Sequence, residues 1–136
     1  MLLLLFEGTM PFTVEYDPEV DLITACVQGD VNLSTLQDLA RAIVSLVKQT
    51  ACHHVLSDLR DVNLLASVGE MYFMPQFIQD VATEKGINLF AVQRAFLASK
   101  NDKTLQFFEL ISVNRNHRTK MFFDLEEARA WLLKKS

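Results

Sequence analysis

Glycine is scarce in this chain of 136 residues: four occur, and none falls in a loop able to cradle a phosphate. Cysteine is scarcer. Cys26 and Cys52 make no disulfide framework and read as small core residues suited to a reducing compartment. Basic residues number 13 against 17 acidic ones, for a formal net charge of -4 and an isoelectric point near 5.3. That excludes the clustered basic surface on which general nucleic-acid binding depends. No apolar run approaches the roughly 20 residues of a membrane-spanning helix. Cys52-His53-His54 is the one dense group of metal-type ligands, and on a strand His53 points away from the other two. His117 lies far off, and zinc needs three or four converging ligands, so no metal and no cofactor is expected. There is no Gly-x-Ser-x-Gly elbow, and no His or Cys stands near Ser67 in sequence to activate it.

What is present is apolar. Half of the residues are hydrophobic and ten are Phe, so an exposed patch or a ligand groove is to be expected beside the core. The opening stretch, MLLLLFEGT, has no basic n-region and no small-x-small cleavage site. It reads as an apolar extension, residues 1–9, ahead of a single domain over residues 10–136, with Met10 as an alternative start. From Leu2 to Phe6 the chain is expected to pack on an apolar surface or to pair with a strand edge, with a homodimer contact or a peripheral membrane contact as alternatives.

Alternation of Phe12, Val14 and Tyr16 predicts a strand, and Asp17-Pro18-Glu19 a turn into a second strand from Leu22 to Gln28, ended by Gly29-Asp30. Ser34 is the expected N-cap of a first helix running to about Lys48. His54 to Leu59 reads as a buried strand, and Arg60 to Ala66 as a loop. Ser67, with Glu70 at the capping-box position, opens a second helix that Pro75 is expected to kink or restart. A long strand from Leu89 to Leu97 carries Arg94 at an edge or strand end. A helix capped by Asp102, a short strand from Lys120 to Phe123 and a final helix capped by Asp124 complete the chain. The order β-β-α-β-α-β-α-β-α specifies an α/β, three-layer fold: a mainly parallel five-stranded sheet with an antiparallel N-terminal edge strand and about four helices.

Three features resemble a known family: this element order, the DLRDV turn after the third strand (Asp58 to Val62), and the closing Phe122, Asp124, Ala128, Trp131 and Leu132. The chain is similar to the SpoIIAA-like proteins, relatives of the bacterial anti-sigma-factor antagonists or STAS domains, which share a fold with CRAL-TRIO lipid-transfer domains. The resemblance implies a cytoplasmic, non-enzymatic regulator whose partner is an anti-sigma-like kinase or another protein. In that family an Asp-Ser-Ser/Thr-Gly motif at the second helix carries the phosphorylated hydroxyl. Here Ala66-Ser67-Val68-Gly69 keeps the Gly and one Ser, loses the Asp, and has Val68 at the usual acceptor, leaving Ser67 as the remaining phospho-acceptor candidate.

Two functional readings follow. In the first, a protein partner docks on Asp61, Asn63, Ser67, Glu70, Tyr72 and Phe73. In the second, a small apolar or lipid-like ligand lies in a groove between the second and third helices, lined by Met71, Met74, Phe77, Phe107, Phe108 and Ile111, with Arg115, Arg118 and Lys120 near an anionic head. The bland readings are that the Met and Phe residues are core, that the basic cluster is a solvated helix end, and that Asp58, Asp61 and Glu70 serve the loop and cap rather than acid–base catalysis.

Overall fold

The computed structural model describes residues 11–134 and, ahead of them, the backbone of Leu3–Leu4. β1 (Leu3–Leu4), β2 (Phe12–Asp17) and β3 (Leu22–Val31) form an antiparallel set, with Leu3 opposite Tyr16 and Phe12 opposite Val27. β4 (His54–Leu64), β5 (Gln93–Leu97) and β6 (Thr119–Phe122) extend the sheet in parallel. All six strands lie side by side in chain order. The expected α/β sheet with an antiparallel N-terminal edge is therefore present. Its sixth strand is β1, which makes within the chain the strand-edge pairing expected of the N-terminal stretch. The dimer and membrane contacts expected of the stretch from Leu2 to Phe6 rest on side chains outside the described residues.

The strands divide the core between two faces because successive side chains point oppositely. On one face Leu22, Leu56, Ala95, Leu97 and Phe122 pack under Ala128 and Leu132 of α5 (Leu125–Leu133). On the other, Val55, Val92 and Phe96 meet α1 (Leu33–Thr50), α2 (Val68–Tyr72), α3 (Met74–Glu84) and α4 (Lys103–Asn114). In α1, apolar residues at helical spacing, among them Leu36, Leu39 and Ala40, are buried on this face.

Several boundaries differ from the sequence reading, each for a local reason. The cap of α1 is Asn32, whose Oδ1 accepts from the Thr35 amide at 2.9 Å; Ser34 lies inside the first turn. β3 does not end at Gly29-Asp30. Gly29 takes φ +82°, open to glycine without strain, and the strand continues to Val31. The stretch expected as a loop after Leu59 is strand as far as Leu64, because residues 28–31 of β3 pair with residues 61–64 of β4 beyond the ends of the neighbouring strands. Leu89–Ala91 is a 3₁₀ turn capped by Asn88, so β5 starts only at Gln93. Pro75 acts as expected: α2 stops at Tyr72, and α3 restarts with the proline in its first turn, where a missing amide hydrogen costs nothing. The split gives five α-helices among the described residues.

Cys52 is buried, its Sγ against the Asp21 and His54 carbonyl oxygens at 3.2 and 3.4 Å, and burial pushes its thiol up to about 11. Cys26, read as a core residue, is exposed on β3, since the pleat turns it opposite Asp58 and away from the main core.

Candidate functional site

The paired ends of β3 and β4 form a two-stranded ribbon that hands the chain to α2. Asp30 and Asn63 face each other in register, and Asn63 Nδ2 donates to Asp30 Oδ1 at 3.0 Å. The Leu65 amide closes the ribbon on Val31 O at 2.8 Å. At its base Arg60 clasps Asp58 through two parallel bonds, Nε to Oδ1 at 3.0 Å and Nη2 to Oδ2 at 2.9 Å, holding that carboxyl below its usual range. Asp58 is thus committed to structure.

Beyond the ribbon, Ser67 is the N-cap of α2. Its Oγ accepts from the Glu70 amide at 3.1 Å, and Glu70 Oε1 accepts from the Ser67 amide at 2.8 Å, a closed capping box. Around it stand Leu65, Val68, Tyr72 and Phe73, the last two 53% and 66% exposed. Tyr72 meets Phe73 edge-on at 5.1 Å and stacks on Phe107 of α4 at 6.5 Å, so both rings are held in place while presenting area to solvent. Leu110 and Val113 add exposed apolar surface on α4.

Behind this surface lies a partly open cavity of about 110 Å³, between the sheet and the helices of the same face. Its lining is apolar apart from Ser57, Arg94 and Thr119. Arg94 stands near the start of β5, between β4 and β6, with Nε and Nη2 closed off from solvent and without a hydrogen-bond partner. Desolvation lowers its pKa to about 10, so it stays charged at neutral pH. Neighbouring His117 is buried, its ring 5.8 Å from that of Phe90. Desolvation, with the charges of Arg94 and Arg115, lowers its pKa to about 4. With the Gln79 amide oriented as here, His117 Nε2 donates to Gln79 Oε1 at 3.2 Å, and Nδ1 has no partner.

The structure sorts the residues singled out from sequence into three places. Asp61, Asn63, Ser67, Glu70, Tyr72 and Phe73 lie along the ribbon and α2 and are all exposed. Met71, Met74 and Phe108 line the cavity, whereas Phe77, Phe107 and Ile111 are half-buried outside it, Phe77 under the Arg41 guanidinium at 5.1 Å. The three cations do not converge. Arg115 Nη2 donates to Gln76 Oε1, Arg118 is exposed beside Gln93, and Lys120 lies over the Phe122 ring on the opposite face of the sheet. The sequence reading missed Arg94 as a cation turned into the cavity, two of its nitrogens closed off from solvent. The available signal was its position: a lone charge inside Phe90-Ala91-Val92-Gln93-Arg94-Ala95-Phe96-Leu97, where an inner parallel strand is expected to be apolar throughout. Among the described residues no three His, Cys, Asp or Glu side chains converge on a metal position, and no helix is long and apolar enough to cross a membrane.

No family model and no curated protein matches the chain. Among solved structures it is similar to an uncharacterized protein of the DUF3478 family with a SpoIIAA-like fold from Shewanella loihica PV-4, at 14% identity and TM-score 0.45, over 96% of this chain and 93% of that one. It is also similar to the anti-sigma factor antagonist SpoIIAA in its unphosphorylated form, at 14% identity and TM-score 0.48, over 99% of this chain and all of the other. The likeness is one of fold alone.

Proposed function

We propose that this protein is a non-enzymatic interaction module that docks a protein partner on the face formed by the β3–β4 ribbon, the Ser67 cap and α2. The observation that carries the reading is the pair Tyr72 and Phe73: two large rings, oriented by each other and by Phe107, left more than half exposed beside Leu65 and Val68. Rigid aromatics of this kind are where binding energy concentrates at protein interfaces. Glu70 of the same helix and Asp61 of the ribbon are exposed as well, so the matching face of the partner carries apolar residues with basic ones at its rim.

The test is affinity capture from the source cell's extract with wild-type and Phe73→Ala proteins, followed by titration of the captured partner. The variant should bind about 30-fold more weakly or worse. Because Phe73 is exposed, its melting temperature should stay within about 2 °C of wild type. A partner held equally by both proteins refutes the face, and dimers dissociated by the substitution would identify a second copy of the chain as the occupant.

Ser67 serves this face as a cap rather than as a phosphorylated switch. A phosphate on its Oγ meets the Glu70 carboxylate already folded against the Ser67 amide, and like charges there oppose each other. Ser67→Ala should therefore cost about 1 kcal/mol of stability in urea unfolding and leave partner affinity unchanged. Affinity that changes with kinase treatment of wild type but not of Ser67→Ala would restore the switch.

A further inference from the structure

We propose that this partly open cavity is a binding site for a small monocarboxylate with a compact apolar body, its head paired with Arg94. The site is separate from the exposed face assigned to a protein partner.

The first observation is an unanswered charge. Among the described residues the two ion pairs join Arg41 to Asp38 and Arg60 to Asp58; neither involves Arg94. Arg94 Nε and Nη2 are sealed from water and bonded to nothing. Two guanidinium nitrogens withdrawn from water with no anion or acceptor are a costly arrangement, in a side chain that is otherwise half-buried. No carboxylate contributes to its perturbed pKa; desolvation is the sole cause. The charges acting on the adjacent His117 are cationic too, Arg94 and Arg115. The polar end of this space is positive, and nothing described in the protein neutralises it.

The second observation is what surrounds the charge. Leu36, Leu39, Met71, Met74, Phe96 and Phe108 are among the apolar residues that form most of the wall, so a hydrated inorganic anion gains nothing there, while a short hydrocarbon replaces water favourably. Thr119 Oγ1 is buried, unpartnered and in the same lining, placing a hydroxyl donor near the guanidinium. The planar fork of arginine suits the two oxygens of a carboxylate better than a single point charge does. Size sets the class. An apolar cavity of about 150 Å³ takes one benzene ring, so about 110 Å³ takes on the order of five heavy atoms with the remainder of the chain in its opening, a four- to six-carbon acid rather than a long-chain lipid.

The experiment is calorimetric titration of the full chain with hexanoate, hexan-1-ol and inorganic phosphate, repeated on Arg94→Met. Wild type should bind hexanoate and melt at a higher temperature with it. Hexan-1-ol and phosphate should each bind at least about tenfold more weakly, and the substitution should weaken hexanoate by at least about tenfold. Ligand-free Arg94→Met should melt at or above the wild-type temperature, because an apolar side chain of similar length replaces an unpaired charge. Equal binding of hexanoate to both proteins, phosphate binding as tightly as hexanoate, or no heat up to roughly 20 mM hexanoate overturns the proposal. A measurement on wild type alone covers a variant that fails to fold. The side-chain Nε–H resonance of Arg94 should shift as hexanoate is added, and a resonance that stays in place through saturation also overturns it.

Discussion

Replacing Leu132 with alanine should destabilise the protein by about 2–5 kcal/mol, the largest effect expected of any single truncation considered for this fold. α5 is the one described helix on its face of the sheet, and it is anchored there by few side chains. Leu132 is 1% exposed and Ala128 fully buried, against Leu22, Leu56, Ala95, Leu97 and Phe122. Removing the Leu132 side chain leaves a void at the centre of this small cluster, and alanine has no reach to fill it. Trp131 and Leu133, only partly buried at the margin, cannot slide in without leaving their own contacts, Trp131 in particular the Phe122 ring at 5.7 Å. The check is the denaturant midpoint of Leu132→Ala beside that of Leu133→Ala, which should move much less. A Leu132 cost under about 1 kcal/mol would mean that α5 contributes little to the cooperative fold.

The second large effect is loss of stability in mild acid. In the folded protein His117 has its pKa lowered from 6.5 to about 4. The groups facing it are Gln79 from α3, the Phe90 ring from the 3₁₀ turn, Arg94 from β5 and Arg115 at the end of α4. None of them is an acid that would welcome a second proton. The unfolded chain takes up that proton near pH 6.5, and the native state resists it until about pH 4. The contribution of His117 is therefore complete above pH 6.5 and is lost as pH falls from there to about 4, a loss of order 1–3 kcal/mol. Unfolding free energies measured between pH 7 and 4 should show this slope, and His117→Gln should flatten it. The Asp58–Arg60 pair titrates elsewhere. The Asp58 pKa is lowered from 3.8, so its contribution is present above that value and lost below it. A slope unchanged in His117→Gln would assign the acid sensitivity to carboxylates instead.

The sequence disclosed the architecture wherever local chemistry and tertiary position agree. The capping box at Ser67 and the caps at Asp102 and Asp124 could be read directly, because the hydrogen bonds that start a helix are made within three residues of the cap. Pro75 likewise announced the break between α2 and α3. What could not be read is decided across the sheet. Residues 60–64 carry Arg, Asp and Asn, which favour turns in isolation, yet β3 supplies them with a partner strand and the ribbon forms. Arg94 is expected at an edge or strand end; it stands near the start of β5, which is an inner strand, and the closure of its Nε and Nη2 from solvent depends on β4 and β6 flanking it and on helices arriving overhead. The same holds for the anionic subsite expected at Arg115, Arg118 and Lys120. Nearness in sequence suggested a cluster, while a turn and a strand pleat send the three charges to different places.

The chain-order arrangement of the six strands has a consequence for how the protein is made. Each strand pairs with the one synthesised just before it, so no strand waits for a distant segment to emerge from the ribosome. The sheet can grow by successive addition, and closures between consecutive strands keep the entropic cost of each step low. The exception is the far face. Among the described residues, Leu22, Leu56, Ala95 and Leu97 have no helical cover until residues 125–133 have been released, after all six strands. A nascent chain stalled before that point therefore carries a nearly finished sheet with one greasy side bare, the species on which a holding chaperone would act.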